Sequence, residues 1–141
     1  MNLLVTGAAG FIGSNFVRYW VDEHPGDRIV ALDALTYAGV RENVEGLPGV
    51  SFAHADIGDT DVVEGLLRDH AVDAVVNFAA ESHNSLAILD PARFFRTNVL
   101  GTQGLCEAAK RAGVERFHHV STCEVYGDLD LDTDEMFTET S

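Results

Sequence analysis

Residues 2–13, NLLVTGAAGFIG, decide the fold of this chain. The first five form a short apolar run that contains β-branched side chains, which is typical of a buried strand. Gly7, Gly10 and Gly13 follow with the spacing G-x-x-G-x-x-G, and apolar side chains then recur at helical spacing. A glycine-rich turn between a strand and an amphipathic helix indicates a phosphate-binding loop.

Each glycine of this loop has a role that a larger side chain would prevent. Gly7 permits the tight turn, Gly10 lets the backbone approach a pyrophosphate, and Gly13 lets the helix pack close to the sheet. The N-terminus of the helix then presents N–H groups and the positive end of its dipole to the phosphates. Because small residues also form ordinary turns, the alternative is a turn that binds no ligand.

A carboxylate ends the next predicted strand. Asp33 lies 20 residues after Gly13, where an acidic side chain accepts hydrogen bonds from the ribose hydroxyls of a bound dinucleotide. The same charge repels a 2′-phosphate, and Ala34 supplies no arginine to offset it. The loop and the carboxylate together predict that the chain binds NAD in preference to NADP.

Strand and helix patterns alternate along the rest of the chain. The later strands are predicted at residues 28–33, 50–54, 74–77 and 116–121, and the later helices at residues 60–69 and from Pro91 to about Arg111. Such alternation implies βαβ units in a parallel sheet, and right-handed crossovers place helices on both faces. The predicted fold class is therefore α/β, a Rossmann-type doubly wound parallel sheet.

The composition excludes several classes of function. The chain has 141 residues, of which 46% are apolar, and this is enough for one compact domain. Its 9 basic and 23 acidic residues give a formal charge of −14, which would repel nucleic acid. We find no apolar run near the roughly 20 residues of a membrane span, no secretion signal and no metal-ligand spacing among the histidines. With two cysteines, too few for a disulfide framework, the expected compartment is the cytoplasm.

Further segments, taken in order, resemble one family of nucleotide-sugar enzymes. The loop TGAAGFIG resembles the extended short-chain dehydrogenases, whose glycines are more widely spaced at the start than those of many dehydrogenases. The segments that narrow this resemblance are DALTYAG (33–39), HADIGD (54–59), FAAESH (78–83), FFRTNVLGT (94–102), STCEVYGDL (121–129) and FTETS (137–141). Together they are similar to the dTDP-glucose 4,6-dehydratases over the whole chain.

The resemblance implies a dehydration with no net oxidation. NAD oxidises carbon 4 of the nucleotide-bound glucose, and the new ketone acidifies the hydrogen on carbon 5. Water is then lost across carbons 5 and 6, and the hydride returns to carbon 6. The expected substrate is dTDP-glucose, and the expected product is its 4-keto-6-deoxy derivative.

Spacing and resemblance together assign the site residues. The spacing places Gly7, Gly10 and Gly13 at the pyrophosphate and Asp33 at the adenosine ribose. The resemblance implies further cofactor-binding residues: Phe11 and Ile12 at the pyrophosphate, Ala34, Leu35 and Thr36 at the ribose, Asp56 and Ile57 at the adenine, and Phe78, Ala79, Ala80 and Thr97 along the dinucleotide. The resemblance implies that Ser82 and His83 face the sugar, that Thr122 holds the hydroxyl on carbon 4, and that Glu124 is the base that removes the hydrogen from carbon 5. Taken singly, Ser82 and Thr122 are equally typical of turns, and Glu124 of an exposed loop. Their shared position past predicted strand ends favours a site.

One position departs from the family's pattern. The dehydratases usually read Thr-Asp-Glu where this chain reads Thr122-Cys123-Glu124, and the Asp is the acid that protonates the departing hydroxyl. A thiol of ordinary pKa, about 8.5, is mostly protonated at neutral pH and can donate a proton. We therefore expect Cys123 to be the proton donor. The alternatives are a small packing residue, or a reaction in which the hydride does not return to the same carbon.

The family's next motif, Tyr-x-x-x-Lys, does not occur in these 141 residues. In the family, its Tyr is the base for the first oxidation, and its Lys lowers the pKa of that Tyr and holds the ribose. We therefore expect residues 1–141 to be an incomplete NAD-binding domain, truncated before the last strands, which does not turn over alone. The resemblance implies that the complete protein adds a sugar-nucleotide domain and forms a homodimer. Other interpretations remain open: a nucleotide-sugar epimerase or 5,6-dehydratase on the same scaffold, and a non-catalytic NAD-binding module.

Overall fold

Every strand of the sheet runs parallel to its neighbours, as the alternating pattern predicted. The computed structural model describes residues 1–130 and 132–141. The strands are β1 (Asn2–Thr6), β2 (Arg28–Asp33), β3 (Val50–His54), β4 (Ala74–Asn77) and β5 (Arg116–His119), in the spatial order β3-β2-β1-β4-β5. The helices are α1 (Phe11–Glu23), α2 (Thr60–Asp69), α3 (Asn84–Leu89), α4 (Pro91–Phe94), a π-helical segment (Phe95–Gly101) and α5 (Thr102–Ala112), and 3₁₀ turns lie at Arg41–Asn43 and Cys123–Tyr126. The α/β Rossmann-type prediction is confirmed.

The inner strands β1, β2 and β4 are buried on both faces of the sheet, since their successive side chains point to opposite sides and helices cover both. In β1, Leu3 and Val5 join an apolar cluster that includes Val17 of α1. Leu4 joins a second cluster with side chains of α2 and α5, including Leu67 and Leu105. Two buried faces explain why the strands appear in the sequence as continuous apolar runs.

The structure corrects the last predicted strand and adds one short helix. The strand predicted at 116–121 ends at His119, because its partner β4 ends at Asn77, and only the N–H of Val120 continues the pairing, at 3.1 Å from the Asn77 carbonyl. The helix α3 was not predicted. It is only six residues long and has no buried residue, so its apolar residues do not form the repeating buried face by which a longer helix is identified.

The long helix predicted from Pro91 to about Arg111 is helical throughout but is not an α-helix throughout. Its middle, Phe95–Gly101, has the wider π-helical turn. A π-helical turn is one residue longer than an α-turn, and such turns recur near functional sites. None of the helices in the described residues is long and apolar enough to cross a membrane.

Candidate functional site

A cleft opens at the carboxyl edge of the sheet. It is lined by Gly7 and Gly10 after β1, by Leu32, Asp33, Ala34, Thr36, Ala38 and Gly39 at the end of β2, by Ala55, Asp56 and Ile57 after β3, by Phe78, Ala79, Ala80 and Glu81 after β4, and by Thr97 of the π-helical segment. From β1 the chain proceeds outward to β2 and β3, whereas β4 and β5 lie on the other side of β1. Open α/β sheets bind ligands at such a switch in strand order.

The turn between β1 and α1 admits no side chain at two of its glycines. Gly7 has φ +62°, and a Cβ there would lie 2.8 Å from the backbone N of Ala79. A Cβ at Gly13 would lie 2.2 Å from the Gly7 carbonyl oxygen. Phe11 and Ile12 start α1 with exposed side chains, and no acidic residue occupies the first turn of the helix. The backbone is therefore open to an anionic group at the positive end of the helix dipole.

Asp33 connects this turn to the loop after β2. Its side chain is buried, and its Oδ2 accepts a hydrogen bond from the N–H of Ala9 at 2.9 Å, while its Oδ1 accepts one from the N–H of Leu35 at 2.8 Å. Leu35 has φ +49°, a left-handed conformation that is unusual for a branched apolar residue. Each carboxylate oxygen retains a lone pair for a further donor. Asp33 thus both lines the cleft and holds the glycine turn.

Polar side chains connect the ends of three neighbouring strands, β1, β4 and β5. The Thr6 hydroxyl of β1 donates to Oδ1 of Asn77 on β4, and Nδ2 of Asn77 lies 3.0 Å from Nδ1 of His119 on β5. The Thr6 oxygen also accepts the N–H of Ala79 at 3.3 Å. These contacts fix the chain just before it forms the cleft wall. The sequence analysis did not single out Thr6 and Asn77, because polar residues at strand ends are common in turns.

Glu81 is a second buried polar residue of the cleft that the sequence analysis did not assign. Its backbone is held at both ends by the Asn98 side chain of the π-helical segment. Oδ1 of Asn98 accepts the Glu81 N–H at 2.8 Å, and Nδ2 of Asn98 donates to the Glu81 carbonyl at 2.9 Å. Both residues lie inside the quoted family segments, but neither has a spacing that indicates a role.

Most of the predicted cofactor residues lie together. Of that set, the cleft lining contains Gly7, Gly10, Asp33, Ala34, Thr36, Asp56, Ile57, Phe78, Ala79, Ala80 and Thr97. Phe11 and Ile12 lie beside it on α1, with Gly13 buried under the turn. Leu35 lies in the chain between the lining residues Ala34 and Thr36. The side chain of Asp56 is held in a turn, in which its Oδ1 accepts the Gly58 N–H at 2.8 Å.

The predicted substrate and catalytic residues lie at the same edge of the sheet, outside the cleft lining. Ser82 and His83 are exposed and directly follow Glu81. Thr122 begins the exposed 3₁₀ turn Cys123–Tyr126, and its Oγ1 accepts the N–H of Glu124 at 3.4 Å. The Cys123 thiol lies 3.6 Å from Oε2 of Glu124. A thiol and a carboxylate are thus adjacent just past the end of β5.

Comparison with known proteins relates the sequence and the fold to nucleotide-sugar enzymes. Residues 3–141 match the NAD dependent epimerase/dehydratase family. The chain is 51% identical to a dTDP-glucose 4,6-dehydratase of Mycobacterium tuberculosis over 100% of its own length and 42% of that protein's length.

Solved structures give the same relationship. The dTDP-glucose 4,6-dehydratase DesIV from Streptomyces venezuelae, with NAD and TYD bound, superposes with a TM-score of 0.86 at 49% identity, over 92% of this chain and 42% of that one. The UDP-glucose 4-epimerase of Thermus thermophilus, in complex with NAD, superposes with a TM-score of 0.88 at 36% identity, over 99% of this chain and 43% of that one. The chain therefore spans about two fifths of the length of these relatives, and it belongs to the NAD dependent epimerase/dehydratase family.

Proposed function

We propose that this chain supplies the NAD-binding part of a lyase that converts dTDP-glucose to dTDP-4-keto-6-deoxyglucose. The observation that carries the proposal is the position of the Thr122-Cys123-Glu124 turn at the same sheet edge as the glycine-lined cleft. Relatives named dTDP-glucose 4,6-dehydratase, about half identical to this chain, support the same activity. Because the chain spans about two fifths of their length, the activity is proposed for the complete protein.

The cleft fits a dinucleotide on grounds of its own geometry. A Cβ at Gly7 would contact the backbone of Phe78 and Ala79 on the opposite wall, so a larger side chain would close the cleft at its centre. The N-terminus of α1 faces the same region and suits a pyrophosphate. Asp33 stands at one end, where its remaining lone pairs suit ribose hydroxyls.

The residues of the turn after β5 would act on the sugar. When bound, NAD would supply the hydride acceptor for carbon 4 and the hydride donor for carbon 6. Thr122 would donate a hydrogen bond to the oxygen on carbon 4, and Glu124 would remove the proton from carbon 5. Cys123 would give its thiol proton to the hydroxyl that leaves carbon 6. Water would form from the carbon-6 hydroxyl and the Cys123 proton, and Glu124 would return a proton to carbon 5 as the hydride reaches carbon 6. The proton released from the carbon-4 hydroxyl during its oxidation balances the one that Cys123 gives up.

The test uses the protein expressed with any sequence that continues it beyond Ser141 in its gene. After incubation with dTDP-glucose and NAD, mass spectrometry reports loss of water, and proton NMR reports a methyl group at carbon 6. A dehydrated product with that methyl group would support the proposal. An unchanged mass would favour the epimerase, for which the superposed epimerase argues. An exocyclic alkene without a methyl group would favour the 5,6-dehydratase, for which Cys123 in the place of the usual Asp argues.

The Asp33 carboxylate makes a prediction about cofactor choice. We expect the protein to bind NAD at least about 100-fold more tightly than NADP, because juxtaposed like charges cost several kcal/mol. Asp33→Asn should reduce the ratio of the NADP and NAD dissociation constants to within about tenfold, mainly by weakening NAD binding. The amide has one acceptor oxygen fewer for the ribose hydroxyls of NAD, and it no longer repels the 2′-phosphate of NADP. Calorimetric titration of both cofactors measures the ratio.

The control for this prediction is Asp22→Asn, which removes an exposed carboxylate at the far end of α1. It should leave both dissociation constants within about twofold, because exposed charges farther apart than a Debye length are largely screened. Equal affinity of the unmodified protein for NAD and NADP would contradict the role of Asp33.

We also propose that the complete protein is a homodimer located in the cytoplasm. The helix α3 and the π-helical segment carry several exposed apolar side chains, namely Ile88, Leu89, Phe95, Val99 and Leu100. A surface rich in exposed apolar side chains suits contact with a second protein. Sedimentation velocity should give twice the monomer mass, whereas a monomer at micromolar concentration would contradict the dimer.

The proposed location in the cytoplasm is supported by the cysteines. Cys106 and Cys123 are both free thiols, which accords with a reducing compartment.

A further inference from the structure

Two walls of the cleft meet at a single arginine outside it. One wall is the loop after β2, in which Thr36 and Ala38 line the cleft with Tyr37 between them. The other is the segment after β4, which ends in Glu81. Arg93 of α4 contacts both. Its Cζ lies 5.4 Å from the centre of the Tyr37 ring, and its Nε donates to Oε1 of Glu81 at 2.6 Å.

The contact with Glu81 is the stronger of the two. The Glu81 side chain is only 5% exposed, and its Oε2 is buried without a hydrogen-bond partner in the described residues. The guanidinium of Arg93 is therefore the counter-charge of a buried carboxylate. Removing one partner of such a pair leaves an uncompensated buried charge, which is strongly unfavourable. Without Arg93, we expect Glu81 to turn toward water, and the cleft wall that it ends would move with it.

The contact with Tyr37 transmits this constraint to the other wall. A guanidinium over a tyrosine ring is attracted by the electrons of its face. Tyr37 also packs edge-on against His83, with ring centres 6.3 Å apart, so the loop after β2 touches the segment after β4 a second time. Tyr37 itself is about half exposed, and its ring contacts with Arg93 and His83 add to the backbone bonds of this loop, such as that from the Val40 N–H to the Ala9 carbonyl at 3.0 Å.

We propose that Arg93 is a positioning residue that couples the two walls of the cleft and holds them ready for NAD. Arg93 does not line the cleft; it acts through Glu81 and Tyr37. A preformed cleft binds more tightly because less loop ordering accompanies binding. The inference rests on the proposed function in one respect, namely that NAD is the ligand of the cleft.

The test is a double-mutant cycle in the complete protein. Bound cofactor is removed first, and calorimetry then measures the dissociation constant for NAD of each variant. Arg93→Met should raise that constant about tenfold, since it removes both an ion pair to a buried carboxylate and a cation–π contact. Tyr37→Leu and Glu81→Gln should each weaken NAD binding in the unmodified protein. In the Arg93→Met background, neither substitution should raise the dissociation constant for NAD by more than about a further twofold, because the effects of coupled residues are not additive.

Arg41→Met is the matched control. Arg41 also lies over an aromatic ring, that of Phe52 at 5.2 Å, and also pairs with a glutamate, Glu45 at 3.1 Å. This control should leave the dissociation constant for NAD within about twofold, because Arg41 lies outside the cleft lining, and an exposed ion pair and cation–π contact there affect mainly local stability. If Arg93→Met does not fold, Arg93→Lys keeps the charge beside Glu81 but not the planar stack on Tyr37, and it should give an intermediate loss of affinity.

The remaining outcomes overturn the inference in distinguishable ways. Two outcomes would overturn the role of Arg93 and leave the proposed function standing. In the first, Arg93→Met binds NAD as tightly as the unmodified protein does. In the second, Tyr37→Leu and Glu81→Gln weaken NAD binding as much in the Arg93→Met background as in the unmodified protein. Failure of the unmodified protein to bind NAD would overturn the proposed function together with this inference. An equal loss of affinity in Arg41→Met would mean that Arg93 acts only on general stability.

Discussion

Replacing Glu124 by Gln is expected to lower turnover of dTDP-glucose by about 10²–10⁴-fold, the contribution of one positioned acid or base. Glutamine has nearly the same shape but cannot accept the proton from carbon 5. The turn itself should survive, since Thr122 Oγ1 bonds to the backbone N–H of residue 124 rather than to its side chain. The initial rate of methyl-group formation by NMR, in the complete protein with saturating substrate, measures the loss.

The control for Glu124 comes from the same region of the chain. Glu135 is also exposed, and its N–H likewise bonds to the hydroxyl two residues earlier, Oγ1 of Thr133 at 3.1 Å. Glu135→Gln should therefore leave the rate within about twofold, as surface substitutions away from a site usually have small effects. If the two variants lose activity equally, or neither does, Glu124 is not the base.

Cys123 is tested in the same assay. If its thiol is the proton donor, Cys123→Ala should slow dehydration, and Cys123→Asp should retain activity, because Asp is the acid usually found at this position in the dehydratases that the chain resembles. The 3.6 Å contact between the thiol and Oε2 of Glu124 places the two groups side by side. An unchanged rate in Cys123→Ala would show that the thiol does not donate the proton.

Replacing Gly13 by Ala is expected to destabilise the fold by roughly 3 kcal/mol or more, at the upper end for overpacking a buried site. The added Cβ would lie 2.2 Å from the Gly7 oxygen and 3.0 Å from Cα of Ala8, both backbone atoms that cannot rotate away. Relief requires α1 to move off the turn, which also opens the phosphate cradle. We therefore expect NAD binding to be lost together with the stability.

Gly65→Ala is the matched control for Gly13. Gly65 lies in the interior of α2, and a Cβ there would meet nothing within 4 Å. This change should stabilise the protein by about 0.5–1 kcal/mol, because alanine has the higher helix propensity. Urea unfolding gives both free energies. A Gly13→Ala protein as stable as the unmodified one would contradict the close approach of α1 to the turn.

The sequence was sufficient for features whose cause is local. The strands at 28–33, 50–54 and 74–77 and the helix at 60–69 have the bounds that the apolar pattern predicted, because period and turn residues lie within each segment. The glycine turn was predictable for the same reason, since three glycines within seven residues leave little choice of backbone. The helix α3 is the exception that shows this dependence on a repeating apolar pattern. It is short and has no buried residue, and it was not predicted.

Features that depend on a partner far along the chain were decided by the tertiary structure. β5 ends at His119 because β4, its neighbour in the sheet, is four residues long. Asp33 was predicted only as a ribose ligand. Its second role, the hydrogen bond that it accepts from the N–H of Ala9, 24 residues away, exists because β2 lies beside β1.

The coupling through Arg93 has the same origin. Its two partners, Tyr37 and Glu81, are brought together by the strand order β2-β1-β4, which no local spacing encodes. The sequence by itself therefore determined the elements, the glycine turn and the family resemblance, since these follow from neighbouring residues. The tertiary structure determined which polar side chains meet across the cleft, because their contacts join segments that only the parallel sheet brings side by side.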